Sequence, residues 1–214
     1  METKGTEIEW QFEAPDLEAV ERWVEQASPV EGVTISPSNG DDHLDTYLDT
    51  GDGRLDHAGY SVRLRRRPAR PAVATLKSLG SAKADSPLVR LELEEELEAD
   101  EPAAVVRAPG PVGERVRDLI GSDELVALFD VLTRRRVFRL EPREAPTGEL
   151  LLDETEIREP DGPTIGHFRR VEIELPESAV SAIRPLVERL QLELGLEAAK
   201  LSKYEAARAI IRNG

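Results

Sequence analysis

The residues of this chain that could do chemistry are acids, arginines and lysines at alternate positions of short, strand-like segments. Alternate residues of a β-strand point to the same face of a sheet, so each such run predicts one charged face and one apolar face. On the first segment, for example, Glu7 and Glu9 alternate with Ile8 and Trp10. The complete runs are Glu7, Glu9 and Gln11; Arg63 and Arg65; Thr75 and Lys77; Arg90, Glu92, Glu94 and Glu96; and Glu172 and Glu174.

The sign of the charge is separated between these segments, with acidic first and last runs and a basic run at Arg63 and Arg65. A sheet with one face in water shows the same alternation, but it would gain from mixing opposite charges across neighbouring strands. A site for a polyanion and cations needs separated charges, since arginine binds phosphate oxygens and carboxylates hold divalent ions. The pattern leaves the solvated face open as an alternative and points towards a phosphate and metal site.

Composition narrows the classes of protein and of metal site. The chain has 214 residues, enough for one large domain or two small ones, and no cysteine, which excludes disulfides and thiolate metal sites. Its three histidines, His43, His57 and His167, are scattered, so we assign them no chemistry and expect them on the surface or in loops. Metal ligands would then be carboxylates, which suit Mg²⁺ or Mn²⁺.

Charge and hydropathy give expectations about partners and location. The net charge of −15 argues against a nucleic-acid partner, because nucleic-acid-binding domains usually present a basic surface. No run of about 18 apolar residues marks a membrane span, and residues 1–9 show no signal-peptide pattern. We therefore expect a cytoplasmic protein, a monomer or homodimer, that binds neither nucleic acid nor membranes.

Eight predicted strands and several helices must position the charged runs. The strands are predicted over residues 7–12, 43–49, 61–67, 73–78, 89–97, 132–140, 149–153 and 167–175. Helices are predicted over residues 16–27 with Asp16 as N-cap, 101–128 in two pieces, 178–194 with Gly195 as C-cap, and 202–212. Residues 28–40 are predicted to form a loop and residues 50–53 a turn.

The order of these elements predicts the fold class. Short neighbouring strands without regular helical crossovers favour an antiparallel sheet in an α+β domain. Eight strands are also enough to close a barrel. The sequence therefore predicts a closed eight-stranded antiparallel β-barrel, with charged alternate residues lining a tunnel and with flanking helices.

The charged runs also occur in an order that resembles a known family, the CYTH domain proteins or triphosphate tunnel metalloenzymes. The resemblance runs from Glu7 to about Ile211, and each segment alone is weakly specific, whereas the common order is specific. The matching segments are residues 7–11 (E-x-E-x-K in the family), 47–50 (Y-x-D-T), 59–65 (G-x-x-x-R-x-R), 75–77 (T-L-K), 90–94 (R-x-E-x-E), 134–139 (arginine-rich), 152–153 (L-D), 172–174 (E-x-E) and 202–204 (S-K-Y).

The resemblance implies one domain over residues 1–214, an eight-stranded barrel with a hydrophilic tunnel, and one or two Mg²⁺ or Mn²⁺ ions. The residues implied to bind phosphate are Arg63, Arg65, Lys77, Arg90, Arg135 and Lys203. Those implied to bind metal are Glu7, Glu9, Glu92, Glu94, Glu96, Asp153, Glu172 and Glu174. Those implied to be catalytic are Glu9, Gln11 and Glu174. Three matching residues are interpreted as structural, namely Tyr47, Asp49 and Tyr204.

One departure from the family pattern bears on function, since Gln11 stands where the first strand of the family carries lysine. A lysine offsets negative charge on a transferred phosphoryl group, whereas glutamine offers a neutral amide. Loss of one such donor typically costs roughly 10²- to 10³-fold in rate. The departure fits a slow enzyme, a shifted substrate preference or a tunnel that only binds.

The function implied by the resemblance is metal-dependent hydrolysis of inorganic triphosphate (tripolyphosphate), with nucleoside triphosphates as poorer substrates. A polyphosphate-binding module without catalysis is one alternative, motivated by Gln11 and by a C-terminal helix that stops at Asn213, as if in the N-terminal part of a longer protein. Adenylate cyclase activity is another, but an aromatic content of 4% leaves little to stack on adenine. Thiamine triphosphate hydrolysis is a further alternative that the sequence leaves open.

Overall fold

The computed structural model describes residues 5–26, 30–80, 86–160 and 162–213, and these include eleven strands in one antiparallel sheet. The strands are β1 (Glu7–Glu13), β2 (Val33–Pro37), β3 (His43–Asp49), β4 (Tyr60–Arg66), β5 (Val73–Ser78), β6 (Leu88–Arg90), β7 (Glu92–Glu96), β8 (Val126–Pro142), β9 (Gly148–Arg158), β10 (Thr164–Glu174) and β11 (Glu197–Ala198). The helices are α1 (Leu17–Glu25), α2 (Arg54–His57), α3 (Pro102–Arg107), α4 (Pro111–Ile120), α5 (Val180–Leu194) and α6 (Lys203–Asn213), with a 3₁₀ turn at Glu177–Ala179.

The sheet curls into a nearly closed barrel. Its main strands follow the order β1, β10, β9, β8, β3, β4, β5, β7, and β6 pairs back onto β1. Since β6 and β7 are separated by one residue, together they form the eighth side of the barrel. The prediction of an eight-stranded antiparallel barrel in the α+β class is therefore confirmed, with β2 and β11 as short additions to β8 and β1.

A break at Leu91 corrects the prediction of one long strand over residues 89–97. β7 pairs with β5, whereas β6 pairs with β1. The Leu91 N–H donates to Ser78 Oγ at 3.1 Å, and its carbonyl accepts from the Ser78 N–H at 3.1 Å. The break arises because this segment must pair with both ends of the sheet, a requirement that local sequence periodicity does not encode.

Two further predictions are corrected near the ends of β8. Residues 126–128 were expected to be helical but open β8, because they continue the sheet beside the end of β3, with Val126 opposite Asp49. The preceding helix α4 ends at Ile120, where Gly121 has a φ of 64°. The predicted loop over residues 28–40 contains β2, which pairs with the other end of β8. Of the predicted helix and loop, residues 27–29 lie outside the described residues.

Helices cover the apolar outer face of the barrel, which leaves the charged face inside. α1 begins after its N-cap Asp16, whose Oδ1 accepts from the Ala19 N–H at 3.0 Å. Its buried face packs with α5 against Trp10 and neighbouring strand residues. A second apolar cluster beneath α3 and α4 includes Leu64 and Leu76. Full burial of each large apolar side chain contributes about 1.5–3 kcal/mol. No described helix is both long and apolar enough to cross a membrane.

α6 is fixed against the barrel by a cluster of aromatic rings. The ring of Tyr204 lies 5.4 Å from that of Tyr47 and 5.9 Å from that of Phe129. Arg208 and Tyr204 of α6 also contact Asp56 of α2. Since Tyr47 and Tyr204 both border the interior cavity, this cluster positions the start of α6 as part of the cavity wall.

Candidate active site

The barrel encloses a cavity of about 220 Å³ whose wall is almost wholly polar. All but two of the residues predicted to bind substrate or metal line this cavity. The two that do not are Glu96, which is exposed on β7, and Asp153, which is fully buried behind the wall. For these two residues the expected position in the tunnel wall is therefore wrong.

Three carboxylates converge on one side of the cavity. Glu9 and Glu174 are directly opposite each other on β1 and β10, and Glu7 lies two residues earlier on β1. Each offers one oxygen, and the three oxygens lie within 4.8 Å of one another. Glu7 and Glu9 are buried, whereas Glu174 is partly exposed. An all-oxygen cluster of this kind suits a hard divalent cation.

Burial changes the ionisation of these carboxylates. Burial raises the pKa of Glu9 to about 7, against the lowering effect of Arg90 and with further raising by Glu7 and Glu172. Burial also raises the pKa of Glu174. Burial alone would raise the pKa of Glu7, but Lys77 and Arg90 lower it below its usual range. Burial thus favours the protonated forms of Glu9 and Glu174, while the neighbouring cations keep Glu7 ionised.

Two cations connect this acidic cluster to the rest of the wall. Lys77 Nζ lies 2.6 Å from Glu7 and 3.0 Å from Glu92. Arg90 donates from Nε to Glu7 at 2.6 Å and from Nη2 to Glu9 at 2.5 Å. Two carboxylates of the cluster, Glu7 and Glu9, are therefore paired with Lys77 and Arg90.

Asp45 of β3 orients the arginine pair that the sequence predicted on β4. Arg65 donates to both oxygens of Asp45 at 2.7 Å, and Arg63 donates to one of them at 3.3 Å. The Nε of Arg63 is buried and has no hydrogen-bond partner among the described residues. Asp45 was not among the predicted site residues, although it lies two residues before Tyr47 on a predicted strand and therefore on the same face.

Asp153 anchors a second cationic pair in the wall. Arg135 donates to both of its oxygens at 2.7 Å, and Lys203 contacts the same carboxylate. Both cations also reach Glu172, at 3.0 Å and 2.9 Å. Glu172 accepts in addition from Gln11 Nε2 at 3.2 Å. The structure thus places Arg135 inside the barrel, and Asp153 contacts its cations rather than the cavity.

The remaining assignments from sequence have mixed outcomes. His43 was expected on the surface but is buried on β3, where its Nδ1 lies 2.7 Å from the Asp41 carbonyl oxygen, and burial lowers its pKa. His57 and His167 are exposed, as expected.

Asp49 accepts from the Leu55 N–H at 2.8 Å at the start of α2, in agreement with a structural role. Further residues of the wall that the sequence analysis missed are Asp41, Ser61, Arg67, Glu149 and Ser202.

The fold and the site define a barrel protein with a charged internal tunnel that combines a carboxylate cluster with arginines and lysines. A family model, the CYTH domain, matches residues 5–206, so the chain belongs to the CYTH family of triphosphate tunnel metalloenzymes. A comparison with curated protein sequences finds no match.

Solved structures share this fold at low sequence identity. A protein of Bacillus halodurans described as a candidate adenylate cyclase is 21% identical with a TM-score of 0.63, covering 94% of this chain and 98% of its own. A Hippeastrum protein, described as an adenylyl cyclase candidate with a dominant triphosphatase activity, is 24% identical with a TM-score of 0.63 and 95% coverage of both chains. A Vibrio parahaemolyticus protein is 18% identical with a TM-score of 0.51, covering 94% and 97%. At these identities the likeness supports the fold.

Proposed function

We propose that this chain is a divalent-metal-dependent triphosphatase that hydrolyses inorganic triphosphate in its tunnel. The observation that carries the proposal is the enclosed cavity in which the carboxylate cluster of Glu7, Glu9 and Glu174 faces arginines and lysines. A cavity of about 220 Å³ is smaller than the roughly 300–1,000 Å³ of pockets for drug-sized ligands. This size favours a small inorganic substrate.

The donor set fits a hard cation, and Mg²⁺ or Mn²⁺ is proposed. Glu7, Glu9 and Glu174 offer oxygen ligands alone, and no cysteine exists in the chain. Burial raises the pKa of Glu9, with smaller contributions from Glu7 and Glu172, and a divalent cation bound there would favour the ionised carboxylate. When bound, such an ion neutralises phosphate charge and lowers the pKa of bound water.

The cationic residues are proposed to bind the phosphate oxygens. Arg65 and Arg135 are each oriented by a bidentate aspartate, so their positions are set before substrate arrives. Arg63 Nε, without a partner among the described residues, would be satisfied by a phosphate oxygen. Preorganised donors of this kind stabilise charge on the transferred phosphoryl group.

The proposed reaction is attack of water on a terminal phosphorus. The bond to the bridging oxygen breaks, and the products are pyrophosphate and phosphate. Glu9 is proposed to accept the proton from water, because its carboxylate lines the cavity beside the phosphate-binding cations. Gln11 donates a neutral hydrogen bond in this region, where family members carry a charge.

Phosphate release from tripolyphosphate with Mg²⁺ or Mn²⁺ tests the proposal. We expect turnover that EDTA abolishes and that Glu9→Gln and Arg65→Met each reduce by about 10²-fold or more. Arg66→Met is the matched control, since Arg66 is next in sequence but pairs with Asp100 rather than lining the cavity. Absence of phosphate release from any triphosphate, thiamine triphosphate and ATP included, would refute the proposal.

A polyphosphate-binding module is kept as a second candidate, because the position of the family lysine is occupied by the neutral Gln11. Calorimetric binding of polyphosphate without phosphate release would favour it. Cyclic AMP formation from ATP would instead favour a cyclase. The cytoplasmic location and the monomeric or homodimeric state stay predictions, which fractionation and light scattering can test.

A further inference from the structure

Arg170 of β10 is a buried cation outside the predicted site. Its side chain is 1% exposed, and by volume it is the largest of the fully buried side chains among the described residues. Its guanidinium lies over the Phe168 ring at 5.0 Å, and its Nε has no hydrogen-bond partner among the described residues. The nearest carboxylate partner is Glu13 at 3.4 Å, and that side chain is 48% exposed. A buried cation with such a weak ion pair needs a further explanation.

Arg170 also contacts Gln11, a residue of the tunnel wall. Its Nη1 donates to Gln11 Oε1 at 3.4 Å, and Gln11 Nε2 donates to Glu172 at 3.2 Å. Strand register explains this series, because Glu13 is opposite Arg170 and Gln11 is opposite Glu172 on the same two strands. Gln11 lines the cavity, whereas Arg170 is not among the described residues that do.

The chemistry of the three groups fixes the orientation of the amide. A guanidinium has only donors, and an ionised carboxylate has only acceptors. An amide between them can satisfy both only with its oxygen towards Arg170 and its NH₂ towards Glu172. The reverse orientation would place like partners together at both ends.

We propose that Arg170 is a positioning residue that orients the Gln11 amide, so that Gln11 presents a fixed neutral donor in the tunnel. The inference rests on the proposed function in so far as it assigns Gln11 to the phosphate site. It also predicts that lysine is disfavoured at position 11, since an ammonium group there would lie beside a buried guanidinium. Gln11 and Arg170 therefore act as one unit, in which the neutral amide lines the cavity and the cation is buried behind it in the wall.

Side-chain amide NMR tests whether Arg170 holds the Gln11 amide in place. The chain has three glutamines, and Gln11 is buried whereas Gln26 is exposed and Gln191 is partly exposed. With selective ¹⁵N labelling we expect one slowly exchanging NH₂ pair, which Gln11→Leu removes and thereby assigns. Arg170→Met should speed its exchange by about tenfold or more, and Arg170→Lys, which keeps a charged donor, should partly restore protection. An unchanged Gln11 signal in Arg170→Met would overturn the proposal.

The matched control for these variants is Arg169→Met. Arg169 is the preceding residue on β10, but its side chain is half-exposed and contacts Glu154. It should leave the Gln11 signal and its exchange unchanged. If Arg169→Met and Arg170→Met have the same effect, the response is a general loosening of β10, and the proposal fails.

A double-mutant cycle in urea tests the unit formed by the two residues. In the wild-type background, Arg170→Met should raise the equilibrium constant of unfolding. In the Gln11→Lys background, the same substitution should raise this constant less, or lower it. The expected coupling is on the order of tenfold, whereas the cycle with Arg169→Met should be additive within about twofold. Additivity for Gln11 and Arg170 would overturn the inference. A further possible result is that Gln11→Lys is too unstable to fold while the double variant Gln11→Lys/Arg170→Met folds. That result would also support the inference, and it needs no unfolding curve of the single variant.

Turnover measurements show whether the proposed function fails independently of this inference. The NMR and urea measurements need no activity, so a coupled pair in an inactive protein would refute the triphosphatase alone. In an active protein, Arg170→Met should lower kcat while KM for tripolyphosphate changes less than about threefold, because Arg170 does not line the cavity. A gain in kcat by Gln11→Lys alone would overturn the inference and leave the triphosphatase standing.

Discussion

Glu9→Gln should stabilise the metal-free protein while it lowers turnover by about 10²-fold or more. Burial raises the pKa of Glu9 from 4.5 to about 7 in the folded protein. The folded protein thus holds a proton on Glu9 that the unfolded chain loses at its ordinary pKa. Stability from this proton is fully present below about pH 4.5 and is lost as the pH rises through about 7.

The size of the effect follows from the shift in pKa. At 1.36 kcal/mol per pKa unit, ionising Glu9 costs the folded state about 3 kcal/mol above pH 7. Glutamine at this position removes that cost and keeps an oxygen that can accept from Arg90. The difference in unfolding free energy between Glu9→Gln and wild type should therefore grow by about 2–3 kcal/mol from about pH 5 to about pH 8.

Urea unfolding in EDTA at several pH values measures this difference. Subtracting the two curves cancels groups that do not interact with Glu9, such as Asp45, whose pKa the neighbouring arginines lower despite burial. Glu96→Gln is the control, because Glu96 is exposed and does not line the cavity. Addition of Mn²⁺ should reverse the order, since ligand at about 1,000 times its Kd stabilises wild type by about 4.1 kcal/mol. Parallel pH curves for Glu9→Gln and wild type would refute the reasoning.

Two further predictions concern the residues that support the site. Asp153→Ala should destabilise the protein by about 3–5 kcal/mol in urea unfolding, because it leaves Arg135 and Lys203 buried without their shared carboxylate; a change below about 1 kcal/mol would contradict this. Glu95→Ala should cost about 1–2 kcal/mol in the same assay, because its carboxylate accepts backbone N–H groups at the start of α4, including that of Val112 at 3.1 Å. Glu98→Ala, at an exposed position two residues beyond β7, should change stability by less than about 0.5 kcal/mol.

The sequence predicted the inward face of the barrel because side-chain direction in a strand has a period of two. Glu7, Glu9 and Glu174 could be placed on one wall from periodicity and from the order of motifs, and the structure brings them together. The strand break at Leu91 was not predictable in this way. It arises from closure of the barrel, which depends on the relative position of β1 and β5 rather than on local pattern.

Contacts between strands account for the other differences. The sequence pattern around Asp45 does not distinguish it from other strand residues. Only the register of β3 against β4 shows that Asp45 is opposite Arg65. Arg170 shares its face with Glu172, so its parity was readable, but its contact with Gln11 depends on the pairing of β10 with β1. Periodicity therefore assigns residues to a face, while register decides which of them bind each other.

The ion pairs of the tunnel fall into two kinds with different consequences for binding. Asp45 and Asp153 hold Arg65 and Arg135 by bidentate contacts and lie outside the carboxylate cluster, so these pairs can persist when ligands bind. Lys77 instead holds Glu7, a member of the cluster. If Glu7 held a divalent cation, Lys77 would lose this partner, keep Glu92 and be able to contact a phosphate oxygen. Cation and phosphate binding should thus favour each other by linkage, since each removes a partner that the other must displace.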